Sequence, residues 1–317
     1  MRALVLQEFL RIVEDYPPPT PLPGEALIRV QTVGICRTDL ELLHGYKNFQ
    51  GIPGHEFVGI VASAPDAPAW EGRRVVGEIN ITCGVCRMCR MGYPTHCLAR
   101  ATLGLIERGG ALAEYLTLPL HNLHAVPESV PNDVAVFTEP LAAACEIPTQ
   151  LHLAPTDRVV VIGDGKLGLL CAQVLALTGC DLIVLGHHRD KLDILAGLGI
   201  ATTLDETAIA PGADIVVEAT GNPNGYAAAL RLVRPRGTMV LKSTYAEQLT
   251  TDFSELVVRE ITLIGSRCGP FPPALSLLER GLVQVRPLIQ ARYPLSEAIR
   301  AFDRAAQPGA LKVLVNI

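Results

Sequence analysis

Basic runs and net positive charge are missing from this 317-residue chain: 27 Lys and Arg stand against 32 Asp and Glu, a formal charge of −5. Binding to a phosphate backbone needs the opposite balance, so nucleic acid is not expected as a partner. Long apolar runs are missing too. The most apolar stretches, Val159–Ile162 and Leu182–Leu185, have strand length and fall far short of the ~20 residues a membrane helix needs. Met1–Leu10 has no basic region leading into an apolar core, so no export signal and no membrane partner are expected, and the expected location is cytoplasmic. Repeats are absent, and the only low-complexity tract is Pro17-Pro18-Pro19, a rigid extended connection. What remains is a 49% hydrophobic, 19% charged composition, enough for two domains each with its own core.

Nine cysteines are an odd number, and four of them fall in Cys83-x2-Cys86-x2-Cys89-x7-Cys97. Clustering of this kind points to metal before disulfides in a reducing compartment. Four thiolates on one short loop can close around a tetrahedral zinc at about 2.3 Å per bond, with no position left for water or substrate. Such a site is structural. An iron–sulfur cluster or two disulfides are the alternatives. Gly84 and Gly92 supply turns, and His96 is a bystander to the four thiols. Cys145, Cys171 and Cys180 lie on or beside apolar helical stretches and are expected in the core.

The first 135 residues show short apolar segments punctuated by Gly and Pro: Arg2–Leu6, Ala26–Thr32, Phe57–Ala62, Arg74–Glu78 and Ala113–Leu118. They predict an antiparallel, barrel-like domain. From Pro140 the pattern becomes helical, and strands then alternate with helices at short spacing. Arg158–Ile162, Asp181–Leu185, Ile215–Glu218, Thr238–Leu241 and Ile261–Ile264 are the strands. Alternation of this kind predicts an α/β fold with a doubly wound parallel sheet. Thr238–Leu241 is expected near the sheet edge, where it would pair across a two-fold axis. Two more helical stretches and a final strand, Lys312–Val315, make up the tail.

Strand Arg158–Ile162 runs into Gly163-Asp164-Gly165-Lys166-Leu167-Gly168 and then an apolar helix. Gly163 makes the tight turn, Gly165 lets backbone approach a pyrophosphate, and Gly168 lets helix pack on strand. The diphosphate is expected on the helix N-terminus, at Lys166 and Leu167. An acidic residue usually ends the second strand and binds the ribose 2′-hydroxyl, but Gly186 stands there. His187, His188 and Arg189 follow and can pair with a 2′-phosphate, so NADP is expected in preference to NAD.

The cysteine spacing resembles the structural-zinc lobe of medium-chain, zinc-containing alcohol dehydrogenases. Gly34-Ile35-Cys36-Arg37-Thr38-Asp39, Gly54-His55-Glu56 and Thr138-Glu139-Pro140-Leu141 resemble that family's catalytic segments, in the family's order and over essentially the whole chain. The resemblance implies a Rossmann domain plus a mainly-β, GroES-like catalytic domain. Its implied boundaries are 1–145 (catalytic), 146–269 (dinucleotide-binding) and 270–317 (return to the first). It also implies two zinc ions per chain, with Cys36, His55 and Glu139 on the catalytic one, in the glutamate-ligand variant seen in sorbitol and threonine dehydrogenases. Thr38 resembles the proton-relaying hydroxyl and Glu56 the glutamate beside the metal, while Glu41 replaces a relay histidine of some relatives. Arg267, after the last sheet strand, becomes a candidate contact to the cofactor phosphates. The chain is shorter than most members, with the missing residues expected in loops such as Ala64–Glu71. The implied activity is reversible oxidation of a small alcohol, a secondary alcohol or polyol favoured, to its carbonyl by a homodimer or homotetramer. The competing readings are a dinucleotide-binding redox sensor or assembly protein with little turnover, and a zinc-free quinone reductase, which would lack the cysteine lobe.

Overall fold

Alternating burial in the first third of the chain resolves into short strands around one apolar centre. The computed structural model describes residues 1–244 and 248–317. Strands β1 (Ala3–Leu6) and β2 (Leu10–Val13) form a hairpin, followed by β3 (Glu25–Gly34), α1 (Arg37–Leu42), β4 (Glu56–Ser63) and β5 (Arg74–Gly77). A small lobe comes next, with β6 (Asn80–Ile81), α2 (Arg87–Arg90), β7 (Ala101–Leu103) and β8 (Glu107–Arg108). Then β9 (Tyr115–Pro119), β10 (Leu123–Ala125) and α3 (Asn132–Ala135) complete this stretch.

Helix α4 (Thr138–Gln150) carries the chain into β11 (Arg158–Ile162), α5 (Lys166–Ala176), β12 (Asp181–Leu185), α6 (Arg189–Ala196) and β13 (Ala201–Thr203). The same rhythm continues through β14 (Ala213–Glu218), α7 (Pro223–Leu232), β15 (Val233–Leu241), α8 (Phe253–Val258) and β16 (Thr262–Gly265). The chain ends with α9 (Phe271–Glu279), β17 (Ile289–Pro294), α10 (Ala298–Ala306) and β18 (Lys312–Asn316). Two units result: Met1–Glu139 with Phe271–Ile317, and Pro140–Pro270.

In the first unit the sheet runs β10-β5-β4-β3-β18-β17, with β9 also on β3. The ten-residue β3 serves two neighbours on one edge: Glu25–Arg29 pair with β9, and Thr32–Gly34 pair with β18. Its other edge pairs with β4, with register irregularities that bend it. Lys312 to Val315 are all buried, so the last strand is a core strand of this unit rather than a loose tail. Strand β17 was not expected from the sequence. Its side chains alternate between half-buried and exposed, as an edge strand requires.

In the second unit the sheet is wholly parallel, in the order β13-β12-β11-β14-β15-β16. Helices cover both faces, so Val159, Val160 and Val161 are all fully buried. The order reverses between β11 and β14, and the crevice beyond the strand ends at such a reversal is where this architecture binds ligands. The expectation that Thr238–Leu241 lies at the sheet edge needs correction. Its strand β15 has β14 on one side and β16 on the other, so both its edges are satisfied, and β16 is the edge strand. Ile261–Ile264 reads as a strand in the sequence, but its place outside Thr238–Leu241 is set by the order of the whole sheet.

Two glycines are fixed by geometry at the β11–α5 turn. Gly163 has φ +120°, and a side chain at Gly168 would collide with the Gly163 carbonyl. Gly168→Ala is therefore expected to lower stability by about 1–3 kcal/mol, read as a shifted midpoint in urea unfolding. An unchanged midpoint would mean that the turn opens freely.

Candidate functional site

Cys36, His55 and Glu56 come from two separate stretches of the first unit, brought together because β3 and β4 pair. Gly34 at the end of β3 lies opposite Glu56 at the start of β4. Cys36 N-caps α1, and His55 immediately precedes β4. One ligand atom from each of the three lies within 4.8 Å of the others. A thiol, an imidazole and a carboxylate at that spacing are a donor set suited to zinc.

Asp39 organises this cluster. It is completely buried, and one oxygen accepts the Cys36 N–H at 2.8 Å. The other meets the Gly54 N–H at 3.2 Å and His55 Nδ1 at 3.1 Å. Nδ1 is thereby engaged, and Nε2 is the nitrogen left for a metal. Burial alone would push Asp39 up, but His55 and the two backbone N–H groups hold it below its usual value. Burial alone would push His55 down, but Asp39 and Cys36 outweigh it and hold the imidazole well above 6.5.

Glu56 is held from the far end of the chain. Lys312 on β18 makes an ion pair with its Oε2, and both side chains are 1% exposed. A side chain at Gly34 would collide with the same carboxylate, so glycine is required there. Burial works to lower the Lys312 pKa, yet Glu56, Cys36 and Glu139 together raise it. Lys312 also lies 5.6 Å from the centre of the Phe137 ring, within range of a cation–π contact.

Glu139, one residue into α4, is partly buried and lies outside the tight set of three. Desolvation raises its pKa, with Glu56 and Asp39 adding to the rise and His55 and Lys312 opposing it. It therefore feels the same charges as the cluster. Thr38 Oγ1 lies 3.8 Å from Cys36 Sγ. Glu41, by contrast, is engaged by Arg37 at 2.7 Å.

The four lobe cysteines also come together. Sulfur–sulfur separations are 3.5 Å for Cys86–Cys89, 3.9 Å for Cys86–Cys97 and 3.5 Å for Cys83–Cys97. A tetrahedron with metal–sulfur bonds of about 2.3 Å has edges of about 3.8 Å, so the lobe has the size of a zinc site. The disulfide alternative is dropped, since all nine cysteines are free thiols. Backbone N–H groups of Cys89 and Leu98 bring the Cys86 thiol down to about 6, while burial and the neighbouring Cys86 and Cys97 thiols push Cys89 up to about 12, as thiols crowded this closely favour a single negative charge among them. His96 bonds to Thr95 and is not among the converging ligands.

In the second unit, Gly165 N-caps α5 without a side-chain cap, and a Cβ there would meet nothing within 4 Å. Backbone at Gly165, where α5 begins, can thus be approached closely by a phosphate. Beyond the ends of β11, β12 and β14 lies a cleft lined by Gly163, Leu185, His187, Thr220 and Asn222. Gly186 has no room for a side chain: a Cβ would come within 2.8 Å of both Asp164 and Leu192. His188 N-caps α6, Arg189 is its first residue, and both are exposed. Arg267 is exposed after β16, and its carbonyl accepts from Lys242 Nζ at 2.9 Å.

Sequence reasoning missed three residues here. Asp39 was visible within the cysteine segment, but its tie to His55 depends on the fold. Lys312 gave no signal, because its partner lies 256 residues away. Asp164 was visible as an acid inside a phosphate-binding loop, an unfavourable place for negative charge unless it has partners of its own.

Residues 22–128 match the family described as alcohol dehydrogenase GroES-like domain, and residues 167–280 match zinc-binding dehydrogenase. The chain is 32% identical to the erythritol/L-threitol dehydrogenase of Mycolicibacterium smegmatis, over 93% of this chain and 91% of that one. Among solved structures it is similar to a zinc-binding dehydrogenase of Sinorhizobium meliloti 1021 bound to NADP. That match has a TM-score of 0.89 and 28% identity, over 100% of this chain and 99% of that one. An Escherichia coli CFT073 protein described as a short chain alcohol dehydrogenase, complexed with NADH, matches with a TM-score of 0.91 and 25% identity. There too, 100% of this chain and 99% of the other are covered.

Two outcomes follow from the geometry. Lys312→Met leaves Glu56 charged and buried, and should cost about 3–5 kcal/mol in unfolding free energy. Adding Glu56→Gln should recover most of it; no recovery would mean the pair is not what holds β18. Second, a metal on His55 Nε2 must displace the Nε2 proton of the imidazolium that Asp39 favours through Nδ1. Zinc uptake by the metal-free protein should weaken about tenfold per pH unit below the raised His55 pKa and release a proton on binding. Competition with a coloured chelator across pH would measure this, and a flat profile would contradict it.

Proposed function

Because this chain belongs to the zinc-containing medium-chain alcohol dehydrogenase family, we propose that it oxidises a small alcohol reversibly to an aldehyde or ketone with a nicotinamide dinucleotide. Secondary alcohols and polyols are the favoured substrates, in keeping with the erythritol/L-threitol dehydrogenase relative. The observation that carries the reading is the buried meeting of Cys36, His55 and Glu56 over Asp39.

We assign Cys36, His55 and Glu139 as the residues that hold the catalytic zinc. Glu56 is committed to Lys312, whereas Glu139 has a raised pKa and nearby positive charge to retain it once ionised. Cys83, Cys86, Cys89 and Cys97 hold the second, structural zinc. When bound, zinc acts as a Lewis acid toward the alcohol oxygen, and the dinucleotide supplies a two-electron acceptor. Asp39 fixes the His55 ring and, through the Cys36 N–H, the start of α1. Thr38 accepts the substrate hydroxyl's proton at Oγ1 and passes its own outward. Lys312 pairs with Glu56 and holds its carboxylate in place, which sets the charge around the reacting oxygen.

Gly163, Gly165 and Gly168, with the N–H groups at Lys166 and Leu167, seat the diphosphate. Arg267 reaches the phosphates, and Gly186, His187, His188 and Arg189 surround the adenosine ribose. The cofactor is NADP or NAD; the two similar structures carry NADP and NADH respectively. We further assign the protein to the cytoplasm, where four lobe thiols stay reduced. No helix among the described residues is long and apolar enough to cross a membrane. A homo-oligomer, dimer or tetramer, is supported by the exposed edge strand β16 and by Phe253, Val257 and Val258 on α8, exposed by 67%, 74% and 82%.

Absorbance of the reduced nicotinamide band, over a panel of polyols and primary and secondary alcohols with each dinucleotide, tests the reading. Turnover should vanish with a zinc chelator. In Cys36→Ser it should fall by more than the ~10–100-fold typical of residues that only support metal ligands, with dinucleotide binding kept. Full turnover in Cys36→Ser would remove the zinc assignment. A folded, zinc-loaded protein that binds dinucleotide but turns nothing over would favour a sensing role.

A further inference from the structure

The carboxylate of Asp164 does not point away from the end of β12; it fills it. Its Oδ2 accepts the backbone N–H of His187 at 2.7 Å and of His188 at 2.6 Å, and lies 3.0 Å from His188 Nδ1. Its Oδ1 is 3.9 Å from Lys191 Nζ, which itself lies 3.4 Å from His188 Nδ1. The side chain is 9% exposed. A Cβ placed on Gly186 would come within 2.8 Å of both the Cβ and Oδ2 of Asp164. The space that a side chain at the strand end would take is therefore filled by an acid from the preceding loop.

Two consequences combine at this point. The N–H groups of His187 and His188, at the start of α6, are donors that an incoming phosphate would use. They already serve an internal anion. An acid at the end of the second strand is also what accepts the ribose 2′-hydroxyl in enzymes that prefer NAD. Opposing it are Arg189 and Lys191, the cationic groups that favour a 2′-phosphate, with His187 and His188 beside them.

Resting on the dinucleotide reading given above, we propose that Asp164 is the residue that selects between NAD and NADP, standing in for the missing strand-end acid at Gly186. It disfavours the 2′-phosphate by its charge and by occupying the His187 and His188 N–H groups. It favours the free ribose by offering a carboxylate at the strand end. This explains why a glycine can occupy position 186 without the site losing its acid. It also explains how an acid is tolerated in a loop that binds phosphate. Its charge is turned toward α6 and is balanced there by two N–H groups, His188 and Lys191, while the open face at Gly165 stays free.

The test is direct binding, by calorimetric or nicotinamide-fluorescence titration of the zinc-loaded protein with NADH and with NADPH. Asp164→Asn keeps the shape and removes the charge. Asp164→Ser also opens the space, and guards against a fold defect in the first. In either variant the ratio of NADPH to NADH dissociation constants should fall by about tenfold or more, through tighter NADPH, weaker NADH or both. Titration with 2′-AMP and 5′-AMP should show the same preference, tying it to the 2′-phosphate. Equal weakening of both dinucleotides would mean that Asp164 only shapes the loop, and would overturn the proposal. So would an unmoved ratio. If the wild-type protein bound neither dinucleotide, the cofactor reading itself would fall, and the role of Asp164 with it.

Discussion

A carboxylate sealed beneath a β-sheet has to be neutralised, and the ion pair of Glu56 with Lys312 does this for the first unit. Each side chain alone would be a buried charge costing several kcal/mol. Together they fix where the final strand lies, because Lys312 reaches Glu56 only if β18 sits against β3 with Leu314 opposite Gly34. That register in turn requires glycine at position 34, since any side chain there would take the carboxylate's place. The Asp39–His55 contact follows the same rule at the other end of the cluster. Negative and positive groups alternate through the interior, and the site's chemistry rests on that alternation.

The contrast between the cysteine lobe and the charge network around Cys36 and His55 shows which constraints are written locally. Cys83 to Cys97 span fifteen positions, so spacing alone brings the thiols together, and the sulfur separations agree with it. Gly163, Gly165 and Gly168 lie within six positions, and Gly163 and Gly168 answer to a local backbone or steric demand. The strands Arg158–Ile162 and Asp181–Leu185 were legible to the residue, because buried parallel strands are short uninterrupted apolar runs. Lys312, Asp39 and Asp164 were not. Their partners are set by sheet pairing or by a loop folding back, and no periodicity carries that information. The free edge expected for Thr238–Leu241 fails for a related reason: edge position is a property of the whole sheet order rather than of any one segment.

The two families matched by the chain correspond to two kinds of chemistry separated in space along the sequence. Residues 22–128 hold the cysteine lobe and the Cys36–His55 pair, and residues 167–280 hold α5 and the strand ends. The glycine-rich loop itself precedes the second match by a few residues, yet it follows β11 and opens α5 as that architecture demands. The first unit is organised by paired buried charge. In the second, Asp164 takes up the backbone N–H groups of His187 and His188 at the start of α6.

The return of residues 271–317 to the first unit bears on how the chain is born. Glu56 leaves the ribosome 256 residues ahead of Lys312. At ordinary elongation rates of about 5–20 residues per second that is a delay of roughly ten to fifty seconds. Over this interval the nascent first unit carries an acid with no counter-charge and a β3 edge with no strand on Thr32–Gly34, a state that chaperones are suited to shield. The second unit needs no later segment, because all six of its strands lie between residues 158 and 265. It can close while the first unit is still waiting, so that the domain begun first is the one finished last.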